Sequence, residues 1–333
     1  MKSRIILIWS FFIFLFTSAC DAQTPNMKNQ VNHNNPLLCN PDSGTCELTN
    51  QKQEGHTYIP TSQNKSIHIV YFTDPICSSC WGIEPQLRKL KLEYGDEIEI
   101  EYIMGGLLPD WSYNSGGISK PSDVAHHWDE VSKYYQMPID GDIWLEDPLS
   151  SSYPPSIAFK AAQLQDQEKA LRFLRRIREM VFLEKKNICK IQYINQAASE
   201  TKLDTAKLNN DIQQIAIELF QNNLRKTAES GVRGFPTLIL SNQNKQYLNL
   251  NGFQVYSNFE SAILQLNPSA KKKEYSKTWE FLFQQFSSLT LREFAELSGQ
   301  NMKESLAQLK VLTEQKKLTV FETKNGAIWR IAL

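Results

Sequence analysis

The sequence predicts an α/β fold in which a helical domain is inserted into a core of strands and helices, followed by a small separate C-terminal unit. First, an alternating apolar run at residues 67–72 leads into Cys77-Ser78-Ser79-Cys80 and then into a helical pattern. Second, helical periodicity fills most of residues 119–229. Third, a Gly-x-x-Gly-Phe-Pro-Thr loop and a further apolar run follow that segment at residues 231–240.

The N-terminus has the features of an export signal. Lys2 and Arg4 precede a continuous apolar run, which ends in small residues and Cys20. A basic start, an apolar segment and small residues predict a secretory signal over residues 1–20. Small residues directly before Cys20 resemble a lipoprotein signal, so we expect cleavage there and acylation of the Cys20 thiol. Because Thr17 stands where Leu is usual, cleavage by ordinary signal peptidase without lipidation is the alternative. The predicted location is the cell envelope or periplasm, with a lipid anchor.

Residues 21–64 are rich in Asn, Gln, Ser and Pro, which predicts a flexible tether. Within it, Cys39 and Cys46 flank the turn-forming sequence Asn-Pro-Asp-Ser-Gly. In an oxidising compartment we expect a local disulfide between these two cysteines. Two other interpretations remain open: the pair relays electrons to or from the Cys-x-x-Cys motif, or it captures a metal together with nearby histidines.

The Cys-x-x-Cys motif lies where a predicted strand ends and a helix begins, a position typical of the redox site of thioredoxin-like folds. The free N–H groups and the dipole of a helix N-terminus favour a thiolate, so we expect Cys77 to have a lowered pKa and to be the nucleophile. Cys80 lies one turn later and can release a partner from a mixed disulfide. Half of a zinc site and an inert disulfide are the competing interpretations. No second close Cys or His pair follows, and so short a loop gains little entropy from closure.

A helical domain is predicted at residues 119–229, inserted into a thioredoxin-like core at residues 65–118 and 230–266. Cys189 lies in this domain, where we expect a buried and unreactive thiol. The predicted helices cover residues 124–135, 156–165, 169–183, 191–199 and 205–227.

The loop at residues 231–237 carries a second functional signal. A proline directly before a strand cannot donate to the sheet, so it marks a strand start or a special turn. In thioredoxin-like proteins this position holds a cis-proline that faces the active-site cysteines. We therefore expect Phe235, Pro236 and Thr237 to hold a substrate strand, with Trp81 contributing shape beside the site. An ordinary turn proline is the alternative.

The C-terminal unit is predicted at residues 274–333. Thr290 and Glu293 form a capping-box pattern that predicts a helix start, and Gly299 predicts its end. A second helix and a hairpin with an Asn-Gly turn follow, an arrangement that resembles a winged helix. Because the 36 Lys and Arg balance the 36 Asp and Glu, the composition gives no electrostatic argument for a nucleic-acid partner.

Together these motifs resemble the DsbA-like thiol oxidoreductases, on the branch that holds the SpxH (YjbH) adaptor proteins and the FrnE-like dithiol isomerases. The resemblance covers nearly all of the chain after about residue 66. The residues that carry it lie at 74–81, 84–85, 89–91, 142–144, 148–151, 158–162, 185–188 and 325–329.

The resemblance implies two different functions. SpxH adaptors are cytosolic and deliver a transcription regulator to the ClpXP protease, a role that the export signal argues against. The oxidoreductase side of the branch implies a redox-active disulfide at Cys77 and Cys80, with no organic cofactor and no metal. Its expected partners are cysteine-containing envelope proteins and a membrane redox partner. A non-catalytic thioredoxin-like adaptor or a metal-handling binding protein is the alternative. Ser78 and Ser79 replace the family's usual Pro-containing dipeptide, so we expect a less oxidising couple than in the strongest DsbA oxidases.

Overall fold

The computed structural model describes residues 39–40, 44–47, 65–112 and 120–332. The predicted signal sequence and Cys20 lie outside these residues. In chain order, the described strands are β1 Cys39–Asn40, β2 Thr45–Glu47, β3 Ile67–Thr73, β4 Ile98–Met104, β5 Gly234–Phe235, β6 Thr237–Asn242, β7 Tyr247–Asn251, β8 Ser288–Thr290, β9 Leu318–Thr323 and β10 Gly326–Ile331.

Among the described residues, no helix is both long enough and apolar enough to cross a membrane. The helices are α1 Ser78–Gly82, α2 Glu84–Tyr94, α3 Pro121–Tyr135, α4 Ile143–Glu146, α5 Tyr153–Gln163, α6 Gln167–Leu183, α7 Ile191–Glu200, α8 Thr205–Gln213, α9 Ile215–Glu229, α10 Tyr256–Leu266, α11 Trp279–Gln285, α12 Leu291–Ser298 and α13 Met302–Glu314.

A mixed sheet in the order β4–β3–β6–β7 forms the centre of the molecule. β3 runs parallel to β4 and antiparallel to β6, and β6 runs antiparallel to β7. Every residue of β3 is buried, which explains why its sequence is almost continuously apolar rather than alternating with exposed polar residues. The helices α1 and α2 form the crossover from β3 to β4 and carry the two cysteines of the motif into the core.

The helical segment between β4 and β5 contains α3 to α9, in agreement with the predicted helical content. The single helix predicted at residues 205–227 is wrong. Gln214 has φ −125° and ψ −103°, outside the helical region, so α8 ends and α9 begins there. Neither a proline nor a glycine marks this break in the sequence, and the short helix α4 was also not predicted.

The C-terminal elements have a small core of their own, which includes Leu282, Phe294, Leu309 and Trp329. The capping box of Thr290 with Glu293 is present, and Gly299 ends α12 with φ 74°, as predicted. The predicted second helix and hairpin are present as α13, β9 and β10. The sequence did not reveal α11 or β8, and β8 pairs with β10 to complete a three-stranded sheet in the order β8–β10–β9.

Buried ion pairs join these C-terminal elements to the rest of the chain. The Arg175 guanidinium donates to Glu293 at 2.8 Å, and Arg330 donates to Glu179 at 2.7 Å. Burial alone would raise the pKa of Glu179, but the charges of Arg175 and Arg330 lower it to about 2. Arg175, Glu179 and Glu293 are thus largely removed from water at this contact, whereas the Arg330 side chain is 34% exposed.

Part of the predicted tether is ordered as strands. β1 and β2 pair antiparallel, with Cys39 opposite Cys46. On its other side β2 pairs antiparallel with β5, with Cys46 opposite Phe235 and Glu47 opposite Gly234. The flexible tether predicted for residues 21–64 therefore differs from the structure at these strands. β2 pairs with the short strand β5, which lies in the loop directly before β6. The other predicted domain boundaries remain predictions.

Candidate active site

Cys77 occupies the N-cap position of α1, immediately after the loop that follows β3. Its φ of −74° and ψ of 110° are extended, and the backbone N–H of Cys80 donates to its Sγ at 3.2 Å. This is the N-cap geometry that Ser or Asp side chains adopt, here with sulfur as the acceptor. The structure thus brings both predicted catalytic cysteines together at one helix start, with both thiols free.

Neither thiol has any exposed surface, and this changes their acidity. Burial raises the pKa of Cys77 well above its ordinary value. The prediction of a lowered pKa for Cys77 is therefore wrong for this state, because the helix start is covered by protein rather than open to water. For Cys80 burial acts in the same direction, yet the hydrogen bond with Cys77 and the charge of Arg178 lower its pKa.

Arg178 of α6 provides the positive charge behind the cysteines. Its guanidinium donates to Glu84 at 2.6 Å, to the Thr73 hydroxyl at 2.7 Å and to the Asp74 carbonyl at 3.3 Å. The side chain is almost completely buried, so its charge is poorly screened by water. Sequence analysis missed this residue, because its position relative to Cys80 depends on how the helical segment packs against the sheet.

Asp74 is a second buried charged residue beside the cysteines whose environment was not predicted. Its carboxylate accepts hydrogen bonds from Ile76 N–H at 3.0 Å, Leu107 N–H at 2.8 Å and the Ser152 hydroxyl at 2.8 Å. Burial raises its pKa to about 6, even though these hydrogen bonds and Arg178 act in the opposite direction. Asp74 therefore changes charge close to neutral pH, three residues before Cys77.

The predicted proline loop adopts the predicted conformation, because the Phe235–Pro236 peptide bond is cis. Thr237 donates from its hydroxyl to the Gly234 carbonyl at 2.8 Å and fixes the turn. The Phe235 ring is fully buried against Gly105, where an added Cβ would lie 1.8 Å from the ring. A glycine at position 105 is thus required for β5 to lie where it does.

A cysteine sulfur already lies over Cys77. Cys46, on β2, is disulfide-bonded, and its Sγ is 3.3 Å from the Sγ of Cys77. It is also 3.4 Å from the Ser79 hydroxyl, which in turn shares a hydrogen bond of 2.6 Å with Tyr135. Because β2 pairs with β5, the predicted substrate-binding loop and the predicted nucleophile contact the same short segment.

Trp81, predicted to contribute shape beside the site, is fully buried beneath it. Its ring stacks on Phe182 at 5.4 Å, the Arg175 guanidinium lies 4.2 Å above it, and its N–H donates to the Pro138 carbonyl at 3.0 Å. Trp81 therefore supports α1 from the side of the helical segment.

Cys189 lies apart from this cluster. It is half-buried, and its thiol lies 2.9 Å from the Ser151 carbonyl. Burial raises its pKa, in keeping with the prediction of an unreactive thiol. No group of three or more His, Cys, Asp or Glu suited to a metal occurs in the part of the chain that the structure describes.

Comparisons with known proteins identify relatives over most of the chain. A family model described as thioredoxin matches residues 71–261. The ClpXP adapter protein SpxH of Halalkalibacterium halodurans is 31% identical over 310 residues, which cover 90% of this chain and 99% of that protein. The ClpXP adapter protein SpxH of Bacillus subtilis is 29% identical over 271 residues, which cover 80% of this chain and 89% of that protein.

Among solved structures, a Nitrosomonas europaea protein, described provisionally as a protein disulfide isomerase, is similar with a TM-score of 0.52. The match has 19% sequence identity and covers 62% of this chain and 97% of the other. At this level of identity the similarity supports the fold, and it agrees with the predicted thioredoxin-like core carrying additional helices.

Proposed function

The chain belongs to the thioredoxin family, as a DsbA-like protein of the SpxH type, and we propose that it is an exported thiol–disulfide oxidoreductase. It would act on cysteines of envelope proteins through Cys77 and Cys80. One observation carries the proposal: β5 pairs with an extended segment whose cysteine sulfur lies 3.3 Å from Cys77. A client segment in the same register would present its disulfide to the same thiol.

In the proposed reaction, Cys77 attacks a client disulfide and forms a mixed disulfide with it. The backbone N–H of Cys80, 3.2 Å from the Cys77 sulfur, stabilises negative charge on that sulfur. Cys80, whose pKa Arg178 helps to lower, then attacks Cys77 and releases the client as a thiol. The reverse sequence would oxidise a client dithiol. The chemistry requires no group beyond the two thiols.

The test is disulfide reduction by the purified chain with insulin as the client. Cys77→Ser should abolish the activity, because a hydroxyl does not form the mixed disulfide. Cys189→Ser is the matched control, since among the described residues it removes a free thiol that lies outside the Cys77/Cys80 pair. We expect the control to keep the wild-type rate. Undiminished insulin reduction by Cys77→Ser would contradict the proposal.

The names of the SpxH relatives favour a second candidate, a non-catalytic adaptor for a protease. The two functions require different locations. Export and acylation at Cys20 are part of the first proposal, so cell fractionation should recover the chain in the envelope. Recovery in the cytosol, together with partner binding that survives Cys77→Ser, would favour the adaptor.

A further inference from the structure

The Cys46 disulfide lies where a client disulfide would have to lie. Its sulfur and that of Cys77 are 3.3 Å apart, and both residues are almost completely buried. The Cys46 sulfur is therefore in van der Waals contact with the thiol that the proposed reaction uses as nucleophile.

Backbone pairing holds this contact in place. Cys46 is opposite Phe235 and Glu47 is opposite Gly234 in an antiparallel register. At the start of β2 the Gly44 carbonyl accepts a hydrogen bond of 2.9 Å from the Phe253 backbone N–H. A Cβ at Gly44, which has φ +61°, would lie 2.4 Å from the Phe253 Cβ. The close fit at this turn indicates a built docking site for β2 rather than a chance contact.

The cysteine that is bonded to Cys46 can be inferred from the other cysteines and from the strand register. Among the described residues the free thiols are Cys77, Cys80 and Cys189, so of the six cysteines in the sequence Cys20 and Cys39 remain as candidates for the partner of Cys46. The register of β1 and β2 places Cys39 directly opposite Cys46. We take Cys39 as the partner. The bond then closes a loop of only a few residues within one hairpin.

We propose that the Cys39–Cys46 disulfide is an internal substrate of the Cys77/Cys80 pair, so that this hairpin accepts electrons from the active site within one chain. The inference rests on the proposed function, because it assigns the first acceptor of the same thiols. It also selects one of the interpretations that the sequence left open, the electron relay.

The exchange balances without an added reactant. Cys77 loses its proton and forms a bond to Cys46 as the Cys39–Cys46 bond breaks, and Cys39 leaves as a thiolate that takes up a proton. Cys80 then loses its proton and attacks Cys77, and Cys46 leaves and is protonated. Two electrons pass from the Cys77/Cys80 dithiol to the hairpin disulfide, leaving a Cys77–Cys80 disulfide. Electrons pass in the opposite direction when the hairpin cysteines are reduced and Cys77 and Cys80 form a disulfide.

Two features favour this exchange over reaction with a free disulfide. Reacting groups held in contact have effective concentrations on the order of 10⁵ M or more, far above any external client. The hydrogen bond with Cys77 and the charge of Arg178 lower the pKa of Cys80, which favours its thiolate as the attacking group in the second step. Cys77 has no exposed surface while β2 is in place, so disulfides of other proteins cannot reach its thiol during that time.

The experiment uses the purified Cys80→Ser chain, prepared without reductant and incubated with iodoacetamide under native conditions. Without the resolving thiol, the exchange should stop at a Cys46–Cys77 bond, and alkylation of the released Cys39 should draw it to completion. Peptide mapping under non-reducing conditions should find this bond in most chains, to an extent unchanged over a tenfold range of protein concentration. Cys46→Ser in the same background is the control and should give no bond to Cys77.

The wild-type chain provides a second readout that does not depend on how a variant folds. Iodoacetamide should yield alkylated Cys39 and Cys46 together with a Cys77–Cys80 disulfide. Alkylated Cys77 with the Cys46 disulfide intact would overturn the inference, as would a Cys46–Cys77 bond that forms only between chains. If insulin reduction persists in that case, the proposed function stands and only the internal substrate is rejected. If the internal exchange does not occur and insulin reduction is also absent, both the internal substrate and the proposed function are rejected.

Discussion

At the scale of single residues, Asp74 has a carboxyl group whose protonation is coupled to folding. Its pKa is raised to about 6 in the folded chain, against an ordinary value of 3.8, because it is buried. The folded state therefore holds this proton more tightly than the unfolded state. The stabilisation is complete below the ordinary pKa and is lost as the pH rises through 6.

We expect the free energy of unfolding of wild type to fall by about 3 kcal/mol, relative to Asp74→Asn, from about pH 3 to about pH 7. Urea unfolding of both chains at each pH measures this difference, and the other titrating groups cancel because both chains contain them. Asp74→Asn should also lower stability at every pH. Each carboxylate oxygen of Asp74 accepts a hydrogen bond from a backbone N–H, and the NH₂ group that replaces one of these oxygens cannot accept it. A difference that does not vary with pH would show that Asp74 titrates normally.

The sequence allowed the position of the two cysteines at a helix start to be predicted, but not their acidity. A helix start after a strand locates Cys77, and that inference depends only on neighbouring residues. Its raised pKa depends on β2 covering it. The raised pKa of Asp74 results from burial among segments that are distant in sequence, including those that contain Leu107 and Ser152, although the hydrogen bonds of these two residues to the carboxylate act in the opposite direction. Local periodicity contains no information about which distant segment will exclude water.

At the scale of elements, the seating of β2 depends on one turn. Gly44 contacts the Phe253 backbone too closely to allow a side chain. An alanine there should displace β2 from β5 without changing any cysteine. The active-site thiol would then be open to solvent.

We expect Gly44→Ala to increase direct alkylation of Cys77 by iodoacetamide at least tenfold and to reduce formation of the Cys77–Cys80 disulfide. Gly299→Ala is the matched control, because Gly299 also has a positive φ, 74°, but its added Cβ would approach only the flexible Lys277 side chain, at 3.5 Å. Both variants incur the backbone strain of a left-handed residue, about 1 kcal/mol. Equal labelling of Cys77 in the two variants would mean that β2 does not cover it.

Long periodic elements were predictable, whereas short paired ones were not. The helices α3 and α6 have enough residues for their apolar period to stand out, and the strand β3 is long enough for its nearly continuous apolar run to do so. β5 has two residues and β2 has three, so neither contains a full period of alternation. Their pairing is a tertiary property, and it is the pairing on which the site depends.

At the scale of the whole molecule, the C-terminal elements are joined to the active-site side through α6. This helix provides Arg178 to the cysteines and Arg175 and Glu179 to the C-terminal contact. Since all three side chains lie on one rigid element, a change in the C-terminal contact bears directly on the helix behind Cys80.

We expect Glu179→Gln to lower the free energy of unfolding by about 3 kcal/mol, because Arg175 and Arg330 lose the charge whose pKa they hold at about 2, while Arg175 keeps its ion pair with Glu293. The folded-state pKa of about 2 lies below the ordinary 4.5, so this stabilisation is present above pH 4.5 and is lost as the pH falls towards 2. The matched control is Glu168→Gln on the same helix. The Glu168 side chain is 88% exposed, and its removal should cost less than about 1 kcal/mol. Urea unfolding at pH 7 compares them, and equal stabilities would contradict a buried charge network.

The pairing of β2 with β5 also bears on self-association. A strand with unpaired N–H and C=O groups is a template on which another chain can add a strand, a common route to aggregation. The side of β5 that faces the cysteines is occupied by residues of the same molecule, so it offers no such template. It becomes available to other chains only for as long as the hairpin is displaced. A site proposed to accept extended polypeptides is thereby kept from accepting its own copies.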